Sequence, residues 1–138
     1  MRNRITPENI TSLGQNEIFV FGSNLSGIHG AGAAKTALKW GAIIGQPIGI
    51  QGKTYAIPTK DKFIKKTLSI AEIKIFVDEF IEYAKNNDNL TFFVTEIGCG
   101  LAGLKHEVVA PLFIDAVELE NVYLPEKFWN ILEIWRKQ

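Results

Sequence analysis

Apolar residues recur along the chain with two different spacings, and the changes between them mark out the elements. Short runs rich in β-branched and aromatic residues lie at 17–21 (EIFVF), 54–57 (TYAI), 91–97 (TFFVTEI) and 121–124 (NVYL), with the length and composition of buried strands. Between them the spacing becomes helical. Over 69–86, Ile70, Ile73, Val77, Phe80, Ile81 and Ala84 share one face, Ser69 and Glu72 make a capping box at the start, and the polar run 86–89 ends the helix. Pro125 opens a last helix over 126–136, where Phe128, Ile131, Leu132 and Trp135 follow i, i+3, i+4, i+7. An alanine-rich helix over 31–40 stops at Gly41, and another over 105–119 carries Pro111, which forces a kink or a new turn. Gly45, Pro47, Gly49 and Gly52 make 43–53 a loop, and 58–68 is a polar connection with lysines at 60, 62, 65 and 66.

Strands alternating with helices predict a mostly parallel central sheet with helices on both faces, a three-layer α/β/α sandwich, because parallel neighbours need crossover connections. The 138 residues fit one domain, with 46% hydrophobic and 22% charged residues as in ordinary globular chains. Fifteen basic residues balance fifteen acidic ones. This argues against a nucleic-acid binder that works through an overall basic footprint, and leaves room for a small anionic ligand. The lone Cys99 excludes an internal disulfide and suits a reducing compartment. With His29 and His106 as the only histidines, no metal or cofactor is expected. The opening MRNRITPEN turns acidic before any apolar stretch, so neither a secretory signal nor a membrane span is read, and a cytoplasmic protein is expected.

Ligands of open α/β sheets bind at the carboxyl ends of strands. Two of these exits are rich in glycine: Gly22 to Gly32 after the first strand and Gly98 to Gly103 after the third. Glycines there let backbone N–H groups approach an anion, and two such loops on one crevice suit a diphosphate; tight strand-to-helix turns are the structural alternative. A P-loop is ruled out, since His29 and Ala34 stand where its two glycines belong before Lys35-Thr36. A dinucleotide fingerprint fails too, with Lys35 at the third glycine position and no acid-ended strand about 20 residues on.

Three segments in order resemble the macro domain, a family of ADP-ribose-binding modules and ADP-ribosyl hydrolases. Residues 8–13 (ENITSL) followed by 18–24 (IFVFGSN) are similar to its opening GDITxLxVDAIVNAAN. Residues 29–41 (HGAGAAKTALKWG) resemble its glycine loop and helix, and 95–104 (TEIGCGLAGL) resemble its second phosphate loop, PAIGTGIYGYP. The resemblance implies that Asn24, reached through Gly22 and Ser23, contacts a terminal ribose and takes part in catalysis. By the same resemblance Gly30, Ala31, Gly32 and Ala33 hold one phosphate, and Gly98, Cys99, Gly100, Leu101, Ala102 and Gly103 hold the other. Asn9, beside Ile10, takes the place of the aspartate that meets the adenine amino group. Phe21, Ala102 and Leu104 depart from the family pattern and mark a divergent branch of the kind found in bacterial and phage proteins.

Other side chains carry paired readings. Lys35 is either a phosphate partner or a solvated lysine. Glu96, sharing a strand face with Phe92 and Val94, is expected to have a raised pKa and to serve as general base, unless it is merely a satisfied buried acid. Thr59, Lys60 and Asp61 leave the second strand at the crevice, with Asp61 a second candidate acid or an ordinary turn residue. His29 is a phosphate or acid/base group or a solvent-facing loop residue, and His106 a surface residue at a helix start. Cys99 between glycines has a setting that lowers a thiol pKa, yet it reads as a stand-in for a small threonine. The expected function is binding of ADP-ribose or a related nucleotide diphosphate, free or on an ADP-ribosylated macromolecule, with hydrolysis of an ADP-ribosyl bond. The alternatives are a non-catalytic reader with the same pocket and an α/β interaction protein whose glycines are structural.

Overall fold

The computed structural model describes residues 3–136; Met1 and Arg2, part of the stretch read against a secretory signal, lie outside the described residues. It is an α/β protein with a five-stranded mixed sheet in a three-layer sandwich. Strands β1 (Glu17–Asn24), β3 (Thr54–Lys60), β4 (Thr91–Val94) and β5 (Val122–Tyr123) run parallel, and β2 (Gly49–Gln51) pairs antiparallel with β3 at one edge. The order is β2-β3-β1-β4-β5. The segment 43–53, expected as a loop, thus contains an edge strand: three residues are too few to show a period, and only pairing with Thr54 to Ala56 makes them a strand.

The alternation along β1 divides the molecule. Ile18 and Val20 face a large core shared with α2 (Ile70–Lys85) and α4 (Glu126–Arg136), where Phe80, Phe92, Phe113, Phe128 and Trp129 are buried. Phe19 and Phe21 face a smaller cluster with Ala34, Ala37, Ala42 and Ala56 under α1 (Gly32–Ala37). The capping box of α2 forms as read: Ser69 Oγ accepts from Glu72 N–H at 3.1 Å and Glu72 Oε1 accepts from Ser69 N–H at 2.9 Å. The helix read over 31–40 tightens into a 3-10 turn at Leu38–Trp40 and stops at Gly41, whose φ of 106° is glycine territory. The segment 105–119 shortens to α3 (His106–Val109) and a 3-10 run Ala110–Ala116, because Pro111 removes an N–H donor from the α-helical ladder. Arg4 closes the far side: its guanidinium lies 5.1 Å from the Trp129 ring centroid and donates to the carbonyls of Val117, Leu119 and Val122. Among the described residues no helix is long and apolar enough to cross a membrane.

Candidate functional site

Because β1, β3 and β4 are parallel, their carboxyl ends reach the same edge of the sheet, and a cavity of about 540 Å³ opens there. Ligand sites of ~300–1,000 Å³ are typical. Its walls are Gly22, Ser23 and Asn24 at the end of β1, residues 30–34 of the first glycine loop, Thr59 and Lys60 at the end of β3, and 95–102 around the second glycine loop.

Close backbone approach makes this possible. A Cβ on Gly22 would stand 3.6 Å from the Gly98 nitrogen, so the two loop bases nearly touch. Gly27, at φ 74°, lies against the segment after α1, where a Cβ would come within 2.6 Å of the Gln46 nitrogen. Asn24 organises the turn: its Oδ1 accepts from Ser26 Oγ at 2.7 Å and Ile28 N–H at 3.0 Å, and its Nδ2 donates to the Ile28 carbonyl at 2.7 Å. The Ser23 hydroxyl donates to the Pro47 carbonyl at 2.6 Å, and Thr95 donates to Val20 at 2.7 Å. These side chains are thus engaged within the protein. No side chain caps α1, so its first N–H groups are left for an outside acceptor. Lys60 and Glu96 are the charged residues on the wall among those described.

Several expected site residues stand elsewhere. Asn9 is exposed and Ile10 packs on the smaller apolar cluster, both away from the cavity. Lys35 is solvated on α1, and Gly103 lies just past the cavity wall in a turn where its N–H donates to the Gly100 carbonyl. His29 is neither solvent-facing nor on the wall: it is 2% exposed, edge-on to Phe21 at 5.2 Å, with Nε2 3.0 Å from the Ile43 carbonyl. Asp61 is also off the cavity. Its carboxylate accepts from the N–H groups of Lys65 and Lys66 at 3.0 and 3.3 Å, and those backbone donors, Lys65 first, hold it below the usual carboxylate range.

Glu96 reaches the cavity by another route than the one expected. The strand ends at Val94, and so the alternation that would have buried Glu96 beside Phe92 never reaches it. Its side chain is 46% exposed on the wall and lies 2.6 Å from His106 Nε2, whose ring packs edge-on to Phe128. Burial, reinforced by the negative charges of Glu96 and Glu107, pushes the Cys99 thiol up to about 11, the reverse of the lowering expected from its glycine neighbours. Five wall residues escaped the sequence reading. Ile28, Ala34, Thr95 and Ile97 lie within or directly beside segments already read as part of the site and were accessible to it; Ile64 was not, since only the fold brings it there.

No family model and no curated protein matches the chain. A solved structure described as a protein of unknown function from Bacteroides thetaiotaomicron superposes with a TM-score of 0.60 at 14% identity, covering 88% of this chain and 93% of that one. The likeness concerns the fold alone.

Proposed function

We propose that the protein is a divergent macro-domain-like module that binds ADP-ribose or a related nucleotide diphosphate in this cavity. The reading is carried by one observation: both glycine loops wall the same 540 Å³ space at the carboxyl edge of the parallel strands. Two backbone cradles on one space suit two linked phosphates without any excess of positive side chains. The free Cys99 goes with a reducing compartment, so a cytoplasmic location belongs to the same reading.

Glu96 on the wall, held by His106 at 2.6 Å, favours hydrolysis over mere reading. Glu96 takes a proton from water as the water oxygen bonds to the anomeric carbon; the bond to the leaving group breaks with its electron pair, and solvent protonates that group. His106 orients the carboxylate, a positioning role. Asn24, held by three hydrogen bonds, shapes the loop around the ribose.

Titration calorimetry with ADP-ribose, AMP and NAD tests the binding. Heat with ADP-ribose exceeding that with AMP is expected; no heat at millimolar ligand overturns the proposal. For hydrolysis, Glu96→Gln should lower turnover of an ADP-ribosyl substrate by roughly 10²–10⁴-fold with the ADP-ribose Kd nearly unchanged. Unchanged turnover removes Glu96 from the chemistry.

A further inference from the structure

Between β3 and α2 the chain makes a small projecting loop, 61–66, that the cavity reading does not use. It is tightly built. Lys60 and Thr67 bridge at its base, the Leu68 N–H donates to the Thr59 carbonyl at 2.8 Å, and the Asp61 N–H donates to the Lys66 carbonyl at 2.9 Å. The Asp61 carboxylate is consumed by the Lys65 and Lys66 N–H groups. Thr67 Oγ donates to the Ala102 carbonyl at 2.7 Å, fastening the loop to the second glycine loop. Ile64 lines the cavity and adopts φ 59°, a conformation that β-branched residues avoid.

Ile64, itself 38% exposed, borders the cavity while its neighbours face solvent. Lys62, Lys65 and Lys66 are exposed, and Phe63 is 68% exposed with the Lys62 ammonium 5.2 Å from its ring centroid. None of these lysines forms an ion pair among the described residues. In a chain of zero net charge, three lysines without ion pairs on the loop that carries this exposed ring, next to Lys60 on the cavity wall and against the single carboxylate of Asp61, leave a local positive excess that the whole-chain count conceals. Whole-chain balance led to the expectation of no electrostatic nucleic-acid contact, and that count does not register that four of the fifteen basic residues, Lys60, Lys62, Lys65 and Lys66, fall within seven positions of the chain.

We infer that the 61–66 loop docks single-stranded nucleic acid, with phosphates on Lys62, Lys65 and Lys66 and an unpaired base stacked on Phe63. An exposed ring among cations fits a strand whose bases are free to stack; a duplex offers no free base face. A membrane surface asks for a broader apolar face than one ring. The inference goes beyond the ADP-ribose reading and does not need it, although a strand held there would present an attached nucleotide to the neighbouring cavity.

Fluorescence anisotropy with a labelled oligothymidylate about twelve nucleotides long tests it. At roughly 50 mM salt the wild-type chain should bind, with log K falling against log salt at a slope near −2, from three phosphates at ~0.7 each. Phe63→Ala should weaken binding about tenfold while Phe63→Trp retains it. The triple variant Lys62→Gln, Lys65→Gln, Lys66→Gln should lose most of the salt dependence while melting like wild type. Absence of binding at about 100 µM protein, equal binding by the triple variant, equal affinity for duplex, or binding to phosphatidylserine vesicles in place of the oligonucleotide each overturns the inference. Oligonucleotide binding without ADP-ribose heat leaves it standing and overturns the cavity reading; the converse overturns only this one.

Discussion

Cys99 shows how far a residue's neighbours in space outrank its neighbours in sequence. Flanked by glycines, it reads as an activated thiol, yet it is half-buried with Sγ 3.5 Å from the Ile97 carbonyl and near two carboxylates, and its thiol is raised to about 11. At pH 8 the thiolate fraction is then about 0.1%, against roughly 25% for a free cysteine with pKa near 8.5. Iodoacetamide should therefore modify Cys99 roughly 250-fold more slowly than free cysteine at pH 8 if the thiolate fraction sets the rate, with the rate climbing until pH approaches 11. A plateau below pH 9, read by mass spectrometry, would contradict this. Glu96 and His29 make the same point. The first was expected buried and is half-exposed; the second was expected in solvent and is enclosed. In each case the deciding fact, where β4 ends or what Phe21 covers, is non-local.

Elements were legible where local chemistry sets them. The Ser69–Glu72 box and the apolar stripe of α2 need no tertiary information, and the helix forms over Ile70–Lys85 as its periodicity requires. By contrast β2 exists only through its partner β3, and the loops flanking it are shaped by close approach. Gly27 and Gly45 separate the two demands a glycine meets. Both have positive φ, but a Cβ on Gly27 would lie 2.6 Å from Gln46 N and 2.7 Å from Gly45 C, while one on Gly45 meets nothing within 4 Å. Gly27→Ala should cost about 2–4 kcal/mol, strain plus overpacking, and Gly45→Ala about 1–2 kcal/mol from strain alone. Urea denaturation of the two variants measures the difference, and equal costs would show that the contact with 45–46 yields freely.

For the whole molecule, alternation of strands and helices was enough to give the three-layer class, and the two glycine exits were enough to locate the cavity edge. Thr59 and Lys60 at the end of β3 stand on the wall as read, but Ile64 was not legible, because only the fold of the loop after β3 turns it toward the cavity. A ligand that binds only the folded state stabilises it by about 2.7 kcal/mol at a hundredfold excess over Kd, which for a chain of this size is a rise in Tm of roughly 8 °C. ADP-ribose should produce this rise and free ribose should not, by differential scanning fluorimetry. Equal effects of both would remove the phosphates from the recognition.

The unequal division of the core by β1 has a mechanical consequence. The second glycine loop rests on the large core through Ile97 and Leu104, whereas the first meets it through Leu25 and is otherwise backed by the smaller cluster, in which Phe19, Phe21 and four alanines are buried with Ile10, Leu13 and Trp40 against them, under a six-residue helix. Opening free energies within one native protein follow such differences in buried apolar contact. The cavity therefore has one stiff jaw and one compliant jaw, and amide hydrogen exchange should find 28–41 opening well before β4 and α2 do. Under the proposed function, a ligand would enter by transient loosening of the alanine side, while the other side keeps its shape.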